Sequence, residues 1–190
     1  MKLEINTFGY ILIGFVLIIC LKIYFDSDTY NLKCIISGED NNTYCVRETP
    51  KLQLVADLLA RVTKKLKKIS TYLGKKYPDR DNCKRLVDNF NPKKIVEILP
   101  TSKYTAYSEN KGEKLAFCTT KKKHGTELID ENTLTFVALH ELAHIMTKTI
   151  GHNTEFWNNF KFLLQESVKI GIYKPVDYKK KSVSYCSMDL

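Results

Sequence analysis

A chain of 190 residues that is 44% hydrophobic has enough apolar matter for one packed core, which excludes an intrinsically disordered protein and leaves one domain with appendages. Lysine and arginine number 30 against 21 acidic residues, a net charge of +9, and much of the excess sits in lysine runs at 64–65, 67–68, 75–76, 121–123 and 179–181. Lysines without the planar fork of arginine read base edges poorly, and no nucleic-acid-binding motif accompanies them. The charge therefore fits an anionic membrane surface, a phosphate backbone or simply solvated faces. The six cysteines include no C-x-x-C pair, so a cysteine zinc site has no support.

Residues 1–7 form a short N-terminal segment. From Phe8 to Leu21 no residue is charged. If Lys22 snorkels, residues 8–25 make one transmembrane helix of about 27 Å, close to the hydrocarbon thickness. Tyr10, Tyr24 and Phe25 stand near its ends, where interfacial aromatics are common. A cleaved signal peptide is the competing reading, although no small-x-small cleavage site follows the run. Little basic charge lies just after the span. The positive-inside rule then places the amino terminus in the cytoplasm and the rest in a lumen, outside the cell or on a virion exterior.

Residues 26–49 read as a polar linker with a turn at 37–42, and residues 50–190 as the domain proper. Asn41-Asn42-Thr43 is a glycosylation sequon that matters only outside the cytoplasm. The five cysteines beyond the span (Cys34, Cys45, Cys83, Cys118 and Cys186) fit disulfides in an oxidising space with one thiol left over, and equally fit free thiols in the cytosol.

Pro50 opens a helix over 51–73, with Val55, Leu58, Leu59, Val62, Leu66, Ile69 and Leu73 on one stripe and Gly74 as its stop. A shorter helical piece is expected around 82–90. Residues 95–99 suit a strand or a helical turn. Strands at 105–108 and 114–118 are joined by a turn at 109–112. A helix capped by Asn132 or Thr133 runs to about 149, and a last helix spans about 153–170, ended by Gly171. The fold class expected is α+β: a domain with a small antiparallel sheet and several helices, after one N-terminal transmembrane helix.

The chemistry is concentrated in His140-Glu141-Leu142-Ala143-His144, followed by Gly151-His152. On a helix His140 and His144 project from one face one turn apart, so two imidazoles can hold one Zn2+. Glu141 stands beside the metal, where it can take a proton from the attacking water. His152, delivered by a glycine turn, completes three nitrogens and leaves a fourth position open. Glu155 and Glu166 are the competing third ligands. The frame 136–146 is uncharged except for Glu141, and burying two histidines and a glutamate without partners would be costly. The strand ending at Leu115-Ala116-Phe117-Cys118, just before this helix, is the candidate edge for adding a peptide substrate. A tail tyrosine, Tyr185 or else Tyr173 or Tyr178, is the candidate oxyanion donor.

The segment HELAHIMTKTIGHNTEFW resembles the active-site segment of the WLM metalloproteases, which are related to the SprT-like proteases. With YSENKGEKLAFC, LTFVALHELAH and the C-terminal YCSM, the stretch from Pro50 to Met188 is similar to WLM-like proteins of large DNA viruses. The resemblance implies His140, His144 and His152 as zinc ligands and Glu141 as catalytic base, with Phe156 and Trp157 packing the ligand loop. It also implies a zincin-like metalloprotease domain and a protein or peptide substrate. Eukaryotic WLM proteins are implicated in cleaving DNA–protein crosslinks in the nucleus. This chain departs from them in its apolar N-terminal run, so nucleic acid is the less favoured partner and the membrane the more favoured one. A non-catalytic protein that keeps zinc only for folding is the remaining alternative.

Overall fold

A computed structural model describes residues 6–26 and 31–190. The first helix, α1 (Thr7–Asp26), has an almost uniformly apolar surface and is not buried against the rest of the described chain. Its 19-residue stretch Thr7–Phe25 is long and apolar enough to cross a bilayer, a test that a signal sequence also passes.

The stretch expected to be a linker holds two strands, β1 (Leu32–Ile36) and β2 (Thr43–Arg47), paired antiparallel around the 37–42 turn. Tyr44 and Val46 face the core, so this hairpin is part of the domain and the reading of 26–49 as a linker is corrected. Two residues on one face of a five-residue strand are too weak a pattern to detect without their partner strand. A Cys34–Cys45 disulfide crosslinks the pair.

Helix α2 (Leu52–Lys76) buries the expected stripe, with Leu59, Val62, Leu66, Ile69 and Leu73 wholly removed from solvent. Gly74 does not stop it. The helix continues to Lys76, and Gly74 lies against α3 (Asp81–Asn89), where an added Cβ would meet Val87 Cγ2 at 2.9 Å. That glycine permits close helix packing instead of a cap.

Strands β3 (Ile95–Glu97), β4 (Ala106–Glu109) and β5 (Lys114–Phe117) complete a five-stranded sheet of order β1-β2-β3-β5-β4. The sheet is mixed, not antiparallel as expected. The helical crossover through α2 and α3 brings β3 back parallel to β2, and β5 enters parallel to β3 after the β4–β5 hairpin reverses the chain. Beneath it, α4 (Glu131–Met146) is the central helix, packed on α2, α3, β4 and α5 (Thr154–Lys169). Its cap is Asp130, whose carboxylate accepts from Thr133 N at 2.9 Å, and it ends three residues earlier than expected. A two-stranded tail, β6 (Ser184–Tyr185) with β7 (Met188–Asp189), is pinned to the end of β5 by a Cys118–Cys186 disulfide. Cys83 is a buried free thiol and Cys20 an exposed one on α1.

Candidate metal centre and cleft

Helix α4 is buried on nearly every side, and the face carrying His140 and His144 is its opening to solvent. The two rings lie 5.0 Å apart between centroids. After Met146 the chain leaves the helix, and Gly151, at φ +91°, turns it so that His152 returns to the same point. The His152 ring sits 4.9 Å from each of the other two, and its Nε2 is 2.9 Å from His140 Nε2. One nitrogen from each ring falls within 4.8 Å of the others. Nitrogens about 2.0–2.1 Å from a tetrahedral zinc stand roughly 3.3 Å apart, so this donor set fits one such ion once its widest pair closes by up to about 1.5 Å.

Phe156 backs all three rings, at 4.8, 4.4 and 4.7 Å from His140, His144 and His152. It is fully buried at the start of α5, where Asn153 caps the helix by accepting from Phe156 N. Trp157 lies half exposed, 5.9 Å from His152. The competing ligands are engaged elsewhere. Glu155 pairs with Arg85, and Glu166 with Tyr72, Lys76 and Lys169.

Burial, then the charge of the neighbouring histidines, pushes His140 down to about 4, and burial foremost does the same to His144. Both rings are thus neutral near pH 7, as ligands must be. Glu141 is 6% exposed, and burial pushes its carboxyl up to about 7. A carboxyl poised there can both accept and return a proton.

These groups open into a cleft of about 860 Å³, lined on one side by β4 and on the other by Phe136, Val137 and Ile150, with Tyr185, Met188 and Leu190 from the tail. Leu115, Ala116, Phe117 and Cys118 are not its edge. β5 is bonded to β3 on one side and β4 on the other, and Cys118 N donates to Thr105 O, so these four residues have no open ladder for a peptide. The edge is β4. Thr105 and Tyr107 spend their backbone groups on β5, and the alternation of an antiparallel ladder turns those of Ala106 and Ser108 outward. Ser108 Oγ is buried with no hydrogen-bond partner among the described residues.

Tyr185 reaches the cleft, 1% exposed, and its hydroxyl donates to Thr105 O at 3.0 Å. Burial, then the Glu141 carboxylate, raises its phenol above the usual range. Tyr173 and Tyr178 pack on Phe136 and lie outside the cleft lining. Lys111 had no signal in the sequence. From the β4–β5 turn, its ammonium donates to Thr147 O at 2.8 Å, Thr149 O at 2.7 Å and His144 O at 3.3 Å. It ties the cleft edge to the carbonyl end of α4 and to the loop that carries His152.

No family model matches the chain. It is 30% identical over 152 residues to the uncharacterized protein R325 of Acanthamoeba polyphaga mimivirus, a match covering 78% of this chain and 77% of that protein. The chain belongs to the family of that viral protein. The uncharacterized protein 042R of Invertebrate iridescent virus 3 is 37% identical over 100 residues, 52% of this chain and 57% of that one. The uncharacterized protein 136R of Invertebrate iridescent virus 6 is 37% identical over 62 residues, 32% of this chain and 35% of its own length. Among solved structures, Wss1 from Saccharomyces cerevisiae is similar with a TM-score of 0.49 and 18% identity, covering 66% of this chain and 86% of that chain.

Proposed function

We propose that this member of the viral family is a membrane-anchored, WLM-like zinc metallopeptidase that hydrolyses peptide bonds. The observation that carries the reading is the convergence of His140, His144 and His152 beside a buried Glu141, at the floor of a cleft with an open strand edge. One zinc ion held by the three imidazoles would supply Lewis acidity and lower the pKa of water in the open position. Glu141 takes the proton from the attacking water and delivers it to the leaving amine. The outward backbone groups of Ala106 and Ser108 pair with an extended substrate, holding its carbonyl over the histidine site. Tyr185 exchanges its bond to Thr105 O for one to the developing oxyanion. Helix α1 is the anchor, with the domain on the luminal, external or virion-exterior side.

A DNA-associated crosslink protease is less favoured because four of the six lysines of α2 are engaged within the domain. Lys64 pairs with Glu39, Lys65 with Glu131 and Lys76 with Glu166, while Lys68 donates to Ile170 O. A zinc site kept only for folding has no use for a proton acceptor such as Glu141.

The test is Glu141→Gln in the full chain. The variant should bind one equivalent of zinc and lose at least roughly 10²-fold in peptide hydrolysis, the scale of a lost general base. Undiminished hydrolysis would sink the mechanism. Hydrolysis that rises with added DNA and falls with salt would favour the crosslink reading.

A further inference from the structure

We infer that Asn41 is an N-glycosylation site, modified while the domain is on the luminal side of a secretory membrane. Asn41-Asn42-Thr43 is the one N-x-S/T sequence in the 190 residues. The structure places it at the tip of the β1–β2 hairpin, with Asn41, Asn42 and Thr43 all exposed. Asn41 closes the turn through its backbone, donating to Ser37 O at 3.1 Å, in the left-handed region at φ 57°. Its side-chain amide makes no hydrogen bond among the described residues, whereas the amide of Asn42 is held by Asp40. The turn itself is fixed from below by Asp57, which accepts from Ser37 Oγ at 2.6 Å and Gly38 N at 2.9 Å. Asn41 Nδ2 is thus a free nucleophile on a rigid, outward tip.

A second, independent observation supplies the compartment. Four of the five cysteines beyond α1 are disulfide-bonded, and the fifth, Cys83, is fully buried where mispairing cannot reach it. Disulfides of this kind persist in oxidising spaces, which include the lumen where asparagines are glycosylated. The strand order supplies room. β1 is the outer strand at the edge farthest from β4, so a glycan on this tip stands away from the cleft. It also shields an exposed strand edge that otherwise invites pairing with other chains.

The transfer forms a C–N bond between Asn41 Nδ2 and the anomeric carbon of a lipid-pyrophosphate-linked oligosaccharide. The anomeric C–O bond breaks, the lipid pyrophosphate leaves with the electron pair, and the amide proton is lost to the transferase. This assignment rests on the luminal topology proposed for the domain and not on its peptidase chemistry, so the two readings can fail separately.

The experiment is expression of the full chain in cells with a glycosylating secretory pathway, with gel migration read before and after peptide N-glycosidase. The wild type should shift to faster migration on treatment. Asn41→Gln should already run at that position and not respond. A control places a second sequon on the exposed 179–181 segment as K179N/K181T, which should add one further glycosidase-sensitive step. A wild type insensitive to the glycosidase overturns the proposal. If K179N/K181T alone gains a glycan, the domain is luminal and Asn41 is unmodified; if neither is modified, the domain does not enter that lumen. A glycan that survives Asn41→Gln also overturns it.

Discussion

Cys118 and Cys186 are joined across 68 residues of sequence, and that bond sets the residue before Cys186, Tyr185, into the wall of the cleft with its hydroxyl on Thr105 O. The tail is held as well by backbone bonds from Cys186 N to Thr120 O and from Ser187 N to Lys121 O, and the crosslink adds a covalent tie to them. Closing a loop of this length stabilises by up to about 4 kcal/mol in the chain-entropy account, against about 3 kcal/mol for the 11-residue separation of Cys34 and Cys45. Removing the first pair as C118S/C186S should lower both denaturation midpoint and hydrolysis. C34S/C45S, at the far edge of the sheet, should lower the midpoint alone. Equal turnover in the two double variants would show that the tail does not serve the cleft.

Tyr185→Phe keeps the ring that fills the wall and removes only the hydroxyl. The expected loss is roughly 10² in kcat, the scale of one oxyanion donor, with little change in KM or zinc content. Tyr178→Phe, outside the cleft, should leave kcat unchanged. A Tyr185→Phe enzyme with full kcat would remove this tyrosine from the reaction.

His152→Ala should weaken zinc binding by more than roughly 100-fold, because even residues supporting a ligand contribute 10–100-fold. Glu155→Gln should cost far less, since Glu155 is engaged with Arg85 and the backbone of Lys148. Competition against a chelator of known affinity reads both. A larger loss in Glu155→Gln would exchange the two assignments.

Ser108→Pro removes an outward N–H from β4 and leaves the ladder to β5 intact, since the Ser108 amide is not part of it. One peptide hydrogen bond is about 1 kcal/mol, so KM for an extended peptide should rise about fivefold at unchanged fold stability. An unchanged KM would mean that substrate does not add to this edge.

Glu166 titrates in a structural role. Burial alone would raise its pKa, but hydrogen bonds from Lys169, Lys76 and Tyr72 together outweigh that and hold it down at about 2. A depressed carboxyl stabilises the fold above the ordinary carboxylate range, and that stability is lost as pH falls through about 4.5 toward 2. Because Lys76 and Lys169 are 41% and 59% exposed, solvent screening reduces the contribution to about 1–2 kcal/mol. Glu166→Gln should be less stable at pH 7 and show a shallower loss in that window, measured by denaturant unfolding at each pH. A parallel pH profile would show that the cluster contributes nothing.

The sequence by itself determined what lies along one helix or one turn. The spacing of Val55 to Leu73 placed the stripe of α2, and His140 and His144, four apart, had to share a face once that segment was helical. His152 was legible because a glycine sits just before it. Only the tertiary structure decided which strand is the edge, because strand order depends on partners far apart in the chain. Leu115 to Cys118 look like an exposed strand until β3 and β4 are seen on either side. The same holds for the 32–47 hairpin, whose burial comes from α2 and β3, and for Lys111 and Tyr185. Their places at the site follow from a hairpin tip meeting a helix end and from a disulfide across 68 residues, neither of which leaves a local pattern. Helical order is written at spacings of three and four, whereas the walls of this cleft are contacts between distant segments.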